Sequence, residues 1–310
     1  MTAVTLSIQI LLYVALGYLA QKLHLVDDKF GKSLSSLLLN ITLPCTIVNS
    51  LCIPFAPDAL KSCGVMLGLS VLWLALSFLL AQLIYQIGKR SPTAKIFRFG
   101  AIFVNFTFIG MMVSEALYGS EGLFYYVVFT VPIRMLFYTL AKPMLAPPSE
   151  ERPSLGKVCR GFLTPPVIAV FVGLVLYLTQ LQLPEVLSGV ISSVGAVSSP
   201  MGMILCGITL AKYTLKEVAK PRYLLLPLYR NLLAPAIALA LGLLLGVEPI
   251  LAKILVIYAA CPVASMLTAF TIQYAHDPAM ELDASGSVFL STVCCAVTIP
   301  LWSWILELVF

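Results

Sequence analysis

The chain has 310 residues, of which 60% are hydrophobic and 11% are charged. A soluble domain is about half apolar and about a quarter charged, so this composition cannot cover a water-exposed surface and excludes a soluble, disordered or disulfide-scaffold protein. It indicates an all-α polytopic protein of the lipid bilayer. The net charge of +5 fits the basic cytoplasmic loops of such a protein and does not indicate a nucleic-acid partner.

Ten continuous apolar segments follow one another along the chain, and each is long enough for a transmembrane helix of about 20 residues. Helices are expected because an unpaired backbone group in hydrocarbon is costly, and because a membrane β-barrel needs shorter, alternating segments. The predicted spans are residues 2–23, 30–52, 62–87, 97–118, 121–141, 163–181, 185–211, 222–246, 250–275 and 281–309.

The Lys and Arg residues lie mostly on one side of these spans. The loops after spans 1, 3, 5 and 7 hold fifteen of the nineteen, and the loops after spans 2, 4, 6 and 8 hold two. Because cytoplasmic loops are enriched in Lys and Arg, the first set of loops is predicted to be cytoplasmic. The protein is therefore predicted to lie in the cytoplasmic membrane with both termini extracytoplasmic.

A charged, proline-rich segment divides the ten spans into two groups of five. We predict a first five-helix repeat at residues 1–141, a cytoplasmic linker at 142–162 and a second five-helix repeat at 163–310. Since five is odd, the second group crosses the membrane in the opposite direction. The two halves are therefore predicted to form an inverted repeat.

Pro, Gly and small polar residues interrupt corresponding spans of both halves. The interruptions fall at residues 40–44 in span 2, 195–200 in span 7, 100–110 in span 4 and 261–265 in span 9. Paired breaks of this kind indicate a transport site at mid-membrane, because unwound backbone leaves N–H and C=O groups that can bind an ion or a substrate. The alternative is that these residues are kinks and close-packing sites, which are common in membrane helices.

Motifs spread over nearly the whole chain carry a family resemblance. They are Gly17-Tyr18, Leu39-Asn40-x-x-Leu43-Pro44, Ser50, Asn105, Phe108, Gly110, Gly119, Thr164-Pro165-Pro166, Leu183-Pro184, Ser199-Pro200, Gly207, Leu210, Arg230-Asn231 with Pro235, and Pro262 with Tyr274. In this order and spacing the chain resembles the auxin efflux carrier family, in its prokaryotic branch of small permeases. Thr107 and Met112 depart from the family pattern, which usually has Gly and Pro at these positions.

The resemblance implies a fold and a substrate class. It implies ten transmembrane helices in two inverted five-helix repeats, similar to bile-acid:sodium symporters and sodium/proton antiporters. Spans 4 and 9 are implied to unwind and cross at mid-membrane, with the substrate bound beside the crossing. The family's substrates are small organic carboxylates, namely auxin in plants and malonate- or malate-type dicarboxylates in bacteria.

Two arginines are predicted inside the membrane. Arg134 in span 5 and Arg230 in span 8 each lie about eight residues from the cytoplasmic end of their span, which is roughly 12 Å deep. Both are candidates for binding a carboxylate substrate, with snorkelling towards the inner interface as the alternative. Asn231 lies beside Arg230 in the same family-like motif and joins the candidate site.

Neutral polar groups complete the candidate substrate site. Asn105 and Thr107 in span 4, and Pro262 and Ser265 in span 9, lie where the resemblance implies that the substrate binds. The alternative for the polar side chains of span 4 is a packing role through hydrogen bonds between helices.

The breaks in spans 2 and 7 supply a second set of candidates, for an ion site or for helix breaking. These candidates are Asn40, Pro44, Ser199 and Pro200. Coupling to sodium or protons is left open by the sequence. The cysteines and histidines show no spacing typical of metal ligands, so neither a metal nor another cofactor is predicted.

These features together predict a secondary carrier that moves a small organic anion, a mono- or dicarboxylate, by alternating access. The chain has neither a P-loop nor an HExxH motif, and its histidines lie outside the predicted spans, so an ATP-driven pump and an intramembrane enzyme are not expected. The remaining alternative is a membrane receptor or passive channel for a small ligand. The expected partners are a small carboxylate and the bilayer, and a homodimer is one option for the oligomeric state.

Overall fold

The computed structural model describes residues 3–27, 29–52, 57–87, 91–146, 165–211, 224–264, 266–275 and 277–310. Within these residues the chain is folded into helices, which confirms the predicted all-α class. Most of the predicted linker at 142–162 lies outside the described residues.

The helices follow the predicted spans in chain order. They are α1 (Ala3–Lys22), α2 (Phe30–Leu37), α3 (Leu43–Leu51), α4 (Pro57–Ile87), α5 (Pro92–Ile102), α6 (Met111–Leu145), α7 (Pro165–Thr179), α8 (Glu185–Ala196), α9 (Ser198–Leu210), α10 (Leu225–Leu228), α11 (Ala234–Leu245), α12 (Pro249–Ala260), α13 (Met266–Tyr274) and α14 (Pro278–Val309). Three π-helical turns, Leu38–Thr42, Phe106–Gly110 and Tyr229–Leu233, join helices within spans 2, 4 and 8.

Four helical stretches of the described chain are long and apolar enough to cross a membrane. They are Leu60–Ile87, Glu185–Leu205, Leu225–Leu245 and Leu282–Val309. Spans 4 and 9 are each divided into shorter helices, so their pieces do not reach that length. The structure therefore supports a multi-pass membrane protein, and the arrangement of ten spans as an inverted repeat stays a prediction.

A glycine turn separates spans 4 and 5 inside α6. Gly119 has φ +66° and ψ −159°, a backbone conformation that essentially only glycine adopts. The turn lies between the predicted end of span 4 at residue 118 and the predicted start of span 5 at residue 121. After it, α6 continues to Leu145, four residues beyond the predicted end of span 5 at residue 141.

Prolines explain two of the three π-helical turns. Pro44 and Pro235 are each the second residue of the helix that follows a π turn. A proline ring clashes with the carbonyl group four residues earlier and supplies no N–H group for it. A wider turn of i→i+5 type accommodates the ring, and such turns are frequent at functional sites.

The helices pack in two groups. In one group α1 packs mainly against α9, and α3 packs against α7 and α8. Gly17 makes the first contact possible, because a Cβ atom there would overlap the backbone carbonyl of Ile204. In the other group α4, α5 and α6 pack together with α11, α12, α13 and α14. We call the first set (α1, α3, α7, α8 and α9) the α1–α9 group, after the contact between α1 and α9, and the second set the crossing group.

The best-buried element is α12, which lies at the centre of the crossing group. Every residue from Ile254 to Ala260 is fully enclosed. Beside it, the rings of Phe99, Phe103, Phe137 and Phe270 form an aromatic cluster with centroids 4.9 to 6.2 Å apart. This rigid core supports the place where spans 4 and 9 are interrupted.

Candidate functional site

The unwound segments of spans 4 and 9 lie against each other and run antiparallel. Val104 and Val263 form an isolated β-bridge. The Asn105 N–H group donates to the Pro262 carbonyl at 2.8 Å, and the Ala264 N–H group donates to the Phe103 carbonyl at 3.3 Å. Backbone groups that leave their helices are therefore satisfied across the contact. We call this contact the crossing.

Local sequence explains why span 9 unwinds here. Pro262 has no N–H group for the helical bond to Tyr258, and a residue before proline is pushed towards extended backbone. Cys261 is accordingly extended, with φ −62° and ψ 146°. Span 4 contains no proline, so no local residue forces α5 to end at Ile102. The break after Ile102 therefore depends on pairing with span 9.

Two glycines of span 4 allow the close approach at the crossing. A Cβ atom on Gly100 would come within 2.7 Å of the Leu226 side chain and 3.2 Å of the Val263 side chain. A Cβ atom on Gly110 would overlap the hydroxyl group of Tyr126. A larger residue at Gly100 would therefore press against Val263 of span 9, and one at Gly110 would displace Tyr126 of span 5.

Asn105 and Thr107, the neutral donors predicted from the sequence, lie at the crossing. Their side chains are buried, with 6% and 8% of their surface exposed. The Asn105 carbonyl accepts from the N–H groups of Ile109 and Gly110, which starts the π turn. That turn packs against α9 of the other group. Both residues thus lie near the boundary between the two helix groups.

Arg230 lies in the π turn of span 8 and is fully buried. Its Nη1 atom donates to the Ala101 carbonyl at 3.0 Å, and its Nη2 atom donates to the Ala259 carbonyl at 3.0 Å. These carbonyl groups belong to the last turns of α5 and α12, so one guanidinium joins the two helix ends that flank the crossing. Its Nε atom is buried and makes no hydrogen bond.

Asn231 connects the same π turn to α14. Its Nδ2 atom donates to the Ser291 backbone carbonyl at 2.8 Å, and its backbone carbonyl accepts from Trp302 Nε1 at 2.8 Å. The Ser291 hydroxyl oxygen accepts from the Val263 N–H group at 3.1 Å. Span 10 is therefore hydrogen-bonded both to span 8 and to the crossing.

Arg134 lies beside the π turn that follows Asn105. Its guanidinium carbon is 5.2 Å from the centre of the Phe106 ring, and Nη2 lies 3.8 Å from Met111 Sδ. With 3% of its surface exposed, Arg134 is enclosed by the protein, as Arg230 is. Both arginines are therefore enclosed by protein groups.

The structure describes three of the four candidates of spans 2 and 7, namely Asn40, Pro44 and Pro200. Asn40 is exposed and donates to the Ser36 carbonyl at 2.9 Å within its own span. Pro44 and Pro200 lie in the first turns of α3 and α9. Ser265 and the side chain of Ser199 lie outside the described residues.

Sequence reasoning did not single out Thr46, Ser291 or Tyr126, which make important contacts. The Thr46 hydroxyl oxygen lies 2.9 Å from the Gly195 carbonyl and 2.8 Å from Ser198 Oγ, so it joins spans 2 and 7. The proximity of Thr46 to Pro44 could have indicated it. Ser291 and Tyr126 lie in continuous apolar segments with no local signal.

A cavity of about 560 Å³ lies where α4, α5 and α10 meet. It is lined mostly by apolar side chains, and its polar lining residues are Ser91, Thr93 and Tyr229. The Tyr229 hydroxyl is buried and makes no hydrogen bond. Among the described residues no group of His, Cys, Asp and Glu could hold a metal ion.

Comparison with known proteins shows which family and which relatives this chain is similar to. A family model described as "Membrane transport protein" matches residues 2–303. An uncharacterized transporter of Methanothermobacter thermautotrophicus is 24% identical over 304 residues, which cover 96% of this chain and 97% of that protein. An uncharacterized transporter of Methanocaldococcus jannaschii is 24% identical over 308 residues, which cover 96% of each chain.

Proposed function

The chain belongs to the membrane transport protein family, the auxin efflux carrier family that its motifs resemble, and we propose that it is a secondary carrier for a small organic anion. The proposed substrate is a mono- or dicarboxylate, and the proposed mechanism is alternating access. Membership of a transporter family is consistent with the absence of enzymatic motifs.

The crossing is the observation that carries this proposal. It places two interrupted helices in contact at Val104 and Val263, inside the best-buried part of the protein. Discontinuous helices of this kind form the substrate and ion sites of many secondary transporters, where the positive amino-terminal ends of half-helices point at anionic groups of the substrate. Asn105 and Thr107 supply neutral side-chain donors at the same place.

The proposed roles follow from these positions. Asn105 and Thr107 bind the carboxylate, and the Pro262–Ser265 segment lines the other side of the site. Arg134 supplies positive charge, which favours an anion nearby. Asn231 holds span 8 against span 10. Burial of Asn105 and Thr107 beside α9 means that a substrate reaches them when the two helix groups separate.

The crossing group is proposed to move against the α1–α9 group during transport. Packing within each group is more extensive than packing between them, which supports this division. We further propose that residues 1–141 and 163–310 are inverted five-helix repeats joined by the linker at 142–162. The distribution of Lys and Arg supports cytoplasmic placement of that linker, with both termini outside.

Reconstitution into liposomes tests the carrier. A thermal-shift screen of carboxylic acids, with and without sodium, first identifies a compound that binds, beginning with malonate. That compound is then radiolabelled and used as the probe. A carrier gives saturable uptake and transient accumulation of label in vesicles preloaded with the unlabelled probe. Uptake without saturation or counterflow would indicate a channel, and binding without uptake would indicate a receptor.

The substrate class and the coupling ion are tested in the same vesicles. Uncharged malonamide is the matched control for malonate, and it should neither raise the melting temperature nor compete for uptake. Imposed sodium and proton gradients then show which ion drives accumulation. Equal competition by malonate and malonamide would contradict the choice of an anionic substrate.

A further inference from the structure

The two helices that end at the crossing each lose a hydrogen-bond donor. In a continuous α-helix the carbonyl group of residue i accepts from the N–H group of residue i+4. The Ala101 carbonyl would therefore accept from Asn105, but the Asn105 N–H group donates to Pro262 at 2.8 Å. The Ala101 carbonyl accepts from Arg230 Nη1.

The same exchange takes place in α12. The Ala259 carbonyl would accept from the N–H group of Val263, but that group donates to the Ser291 hydroxyl oxygen at 3.1 Å. The Ala259 carbonyl accepts from Arg230 Nη2. One guanidinium thus replaces the two amide donors that were lost in two different spans.

We propose that Arg230 is a positioning residue that fixes the crossing by joining the carboxyl-terminal ends of α5 and α12. It acts through these helices and not as a direct ligand of the substrate. This inference rests on the proposed function, because the crossing it fixes is the proposed substrate site. It extends that proposal by giving the buried charge of span 8, Arg230, a role in holding the site together.

Electrostatics favour this role. The carboxyl-terminal end of a helix carries roughly half a negative charge, so the ends of α5 and α12 together match one guanidinium. The ionisable neighbours of Arg230 in the described part of the chain are Tyr229, Tyr258, Cys261 and Tyr126, and none is a carboxylate. The two helix ends therefore provide the counter-charge that a fully buried arginine needs.

The shape of the side chain matters as much as its charge. A guanidinium has donors in a rigid fork, so it can reach two carbonyl groups on different helices at once. A lysine keeps the charge but concentrates its donors on one atom at the end of a flexible chain. Arg230→Lys therefore keeps the electrostatic part of the contact and weakens its geometry, whereas Arg230→Met removes both.

Hydrogen exchange followed by mass spectrometry tests the proposal on the full-length protein in lipid nanodiscs without any ligand. Arg230→Met should raise exchange in peptides that contain the 103–106 and 261–264 segments by about tenfold or more, since two hydrogen bonds are lost. Arg230→Lys should give a smaller increase at the same two segments. Exchange in α1 and α9 should not change in either variant.

Arg98→Met is the matched control. Arg98 is a partly buried arginine of α5 whose guanidinium lies 4.3 Å from the centre of the Tyr85 ring, and it is not bonded to the crossing. Its replacement should leave exchange at both crossing segments as in the wild type. A purely general loss of stability would raise exchange in all helices, and that pattern in Arg230→Met would overturn the proposal.

Unchanged protection at the crossing in Arg230→Met would also overturn it, because a direct substrate ligand has no effect without substrate. If Arg230→Met does not fold, Arg230→Lys decides: an increase confined to the two segments supports the role, and wild-type or uniformly raised exchange refutes it. The exchange experiment uses no ligand, so its result does not depend on the transport assay. A negative transport assay would contradict the proposed carrier function, whereas a negative exchange result would contradict the role of Arg230.

Discussion

The hydroxyl oxygens of Thr46 and Ser198 lie 2.8 Å apart and join α3 to α9 at a second contact between interrupted spans. Thr46 also lies 2.9 Å from the Gly195 carbonyl, and a Cβ atom on Gly195 would come within 3.1 Å of the Thr46 backbone. The backbones of spans 2 and 7 are therefore in close contact at these residues. This contact lies in the α1–α9 group, whereas the crossing of spans 4 and 9 lies in the other group.

Replacing Thr46 should weaken the contact between spans 2 and 7. Thr46→Val keeps the shape of the side chain but leaves the buried Ser198 hydroxyl and the Gly195 carbonyl without this partner. We expect a loss of about 1–3 kcal/mol in the free energy of unfolding, measured by thermal or denaturant unfolding in detergent. Thr179→Val is the control, because Thr179 is exposed and bonds to Val175 of its own helix. Equal stability of the two variants would contradict the prediction.

Packing of α1 on α9 should depend on the absence of a side chain at residue 17. Gly17→Ala places a methyl group against the backbone carbonyl of Ile204, so the helices must separate. Overpacking of this kind costs about 1–3 kcal/mol. Gly68→Ala is the control, since no atom lies within 4 Å of a Cβ atom there, and alanine favours the helix. A stable Gly17→Ala protein with an unchanged melting temperature would show that the contact can relax freely.

The turn between spans 4 and 5 should tolerate only glycine. Gly119→Ala forces an alanine into φ +66°, ψ −159°, which costs about 1–3 kcal/mol. Gly246→Ala is the comparison, because Gly246 has φ +58° and ψ 35°, a left-handed conformation that other residues reach at lower cost. Melting temperatures should therefore fall further for Gly119→Ala. The reverse order would mean that the turn at Gly119 readjusts.

Transport should depend on the amide group of Asn105. Asn105→Ala should lower the initial rate of probe uptake into liposomes at least about tenfold, because a charge-assisted hydrogen bond to a carboxylate contributes about 1.5–3 kcal/mol. The variant should remain folded, which its melting temperature without ligand checks. Gln182→Ala is the matched control, since Gln182 is an exposed amide in the loop between α7 and α8. Uptake by Asn105→Ala at the wild-type rate would remove this residue from the site.

Several features of the fold could be predicted from the sequence because their causes are local. Pro262 disrupts its own helix, and the break in span 9 lies where the sequence predicts it. Pro44 and Pro235 likewise account for the wide turns that precede them. The turn at Gly119 could be placed to within two residues, because it lies between two apolar segments.

The break in span 4 shows the limit of such reasoning. No proline lies between Pro92 and Pro132, so the local sequence does not force α5 to end at Ile102. The segment after it is held by the bridge between Val104 and Val263 and by the bond from Asn105 to Pro262. Pairing with a distant part of the chain stabilises a conformation that the local residues alone do not determine.

The sequence by itself determined that this is a helical membrane protein and where the helices that contain Pro44 and Pro262 are interrupted, because hydrophobic length and proline chemistry act within a few residues; its motifs indicated the transporter family. Only the tertiary structure decided what meets at the interruptions. Arg230 was expected to face a substrate carboxylate, and in the structure it bonds to the carbonyl groups of Ala101 and Ala259. Every residue carries a carbonyl group, so a sequence pattern does not show which ones folding will leave without a donor.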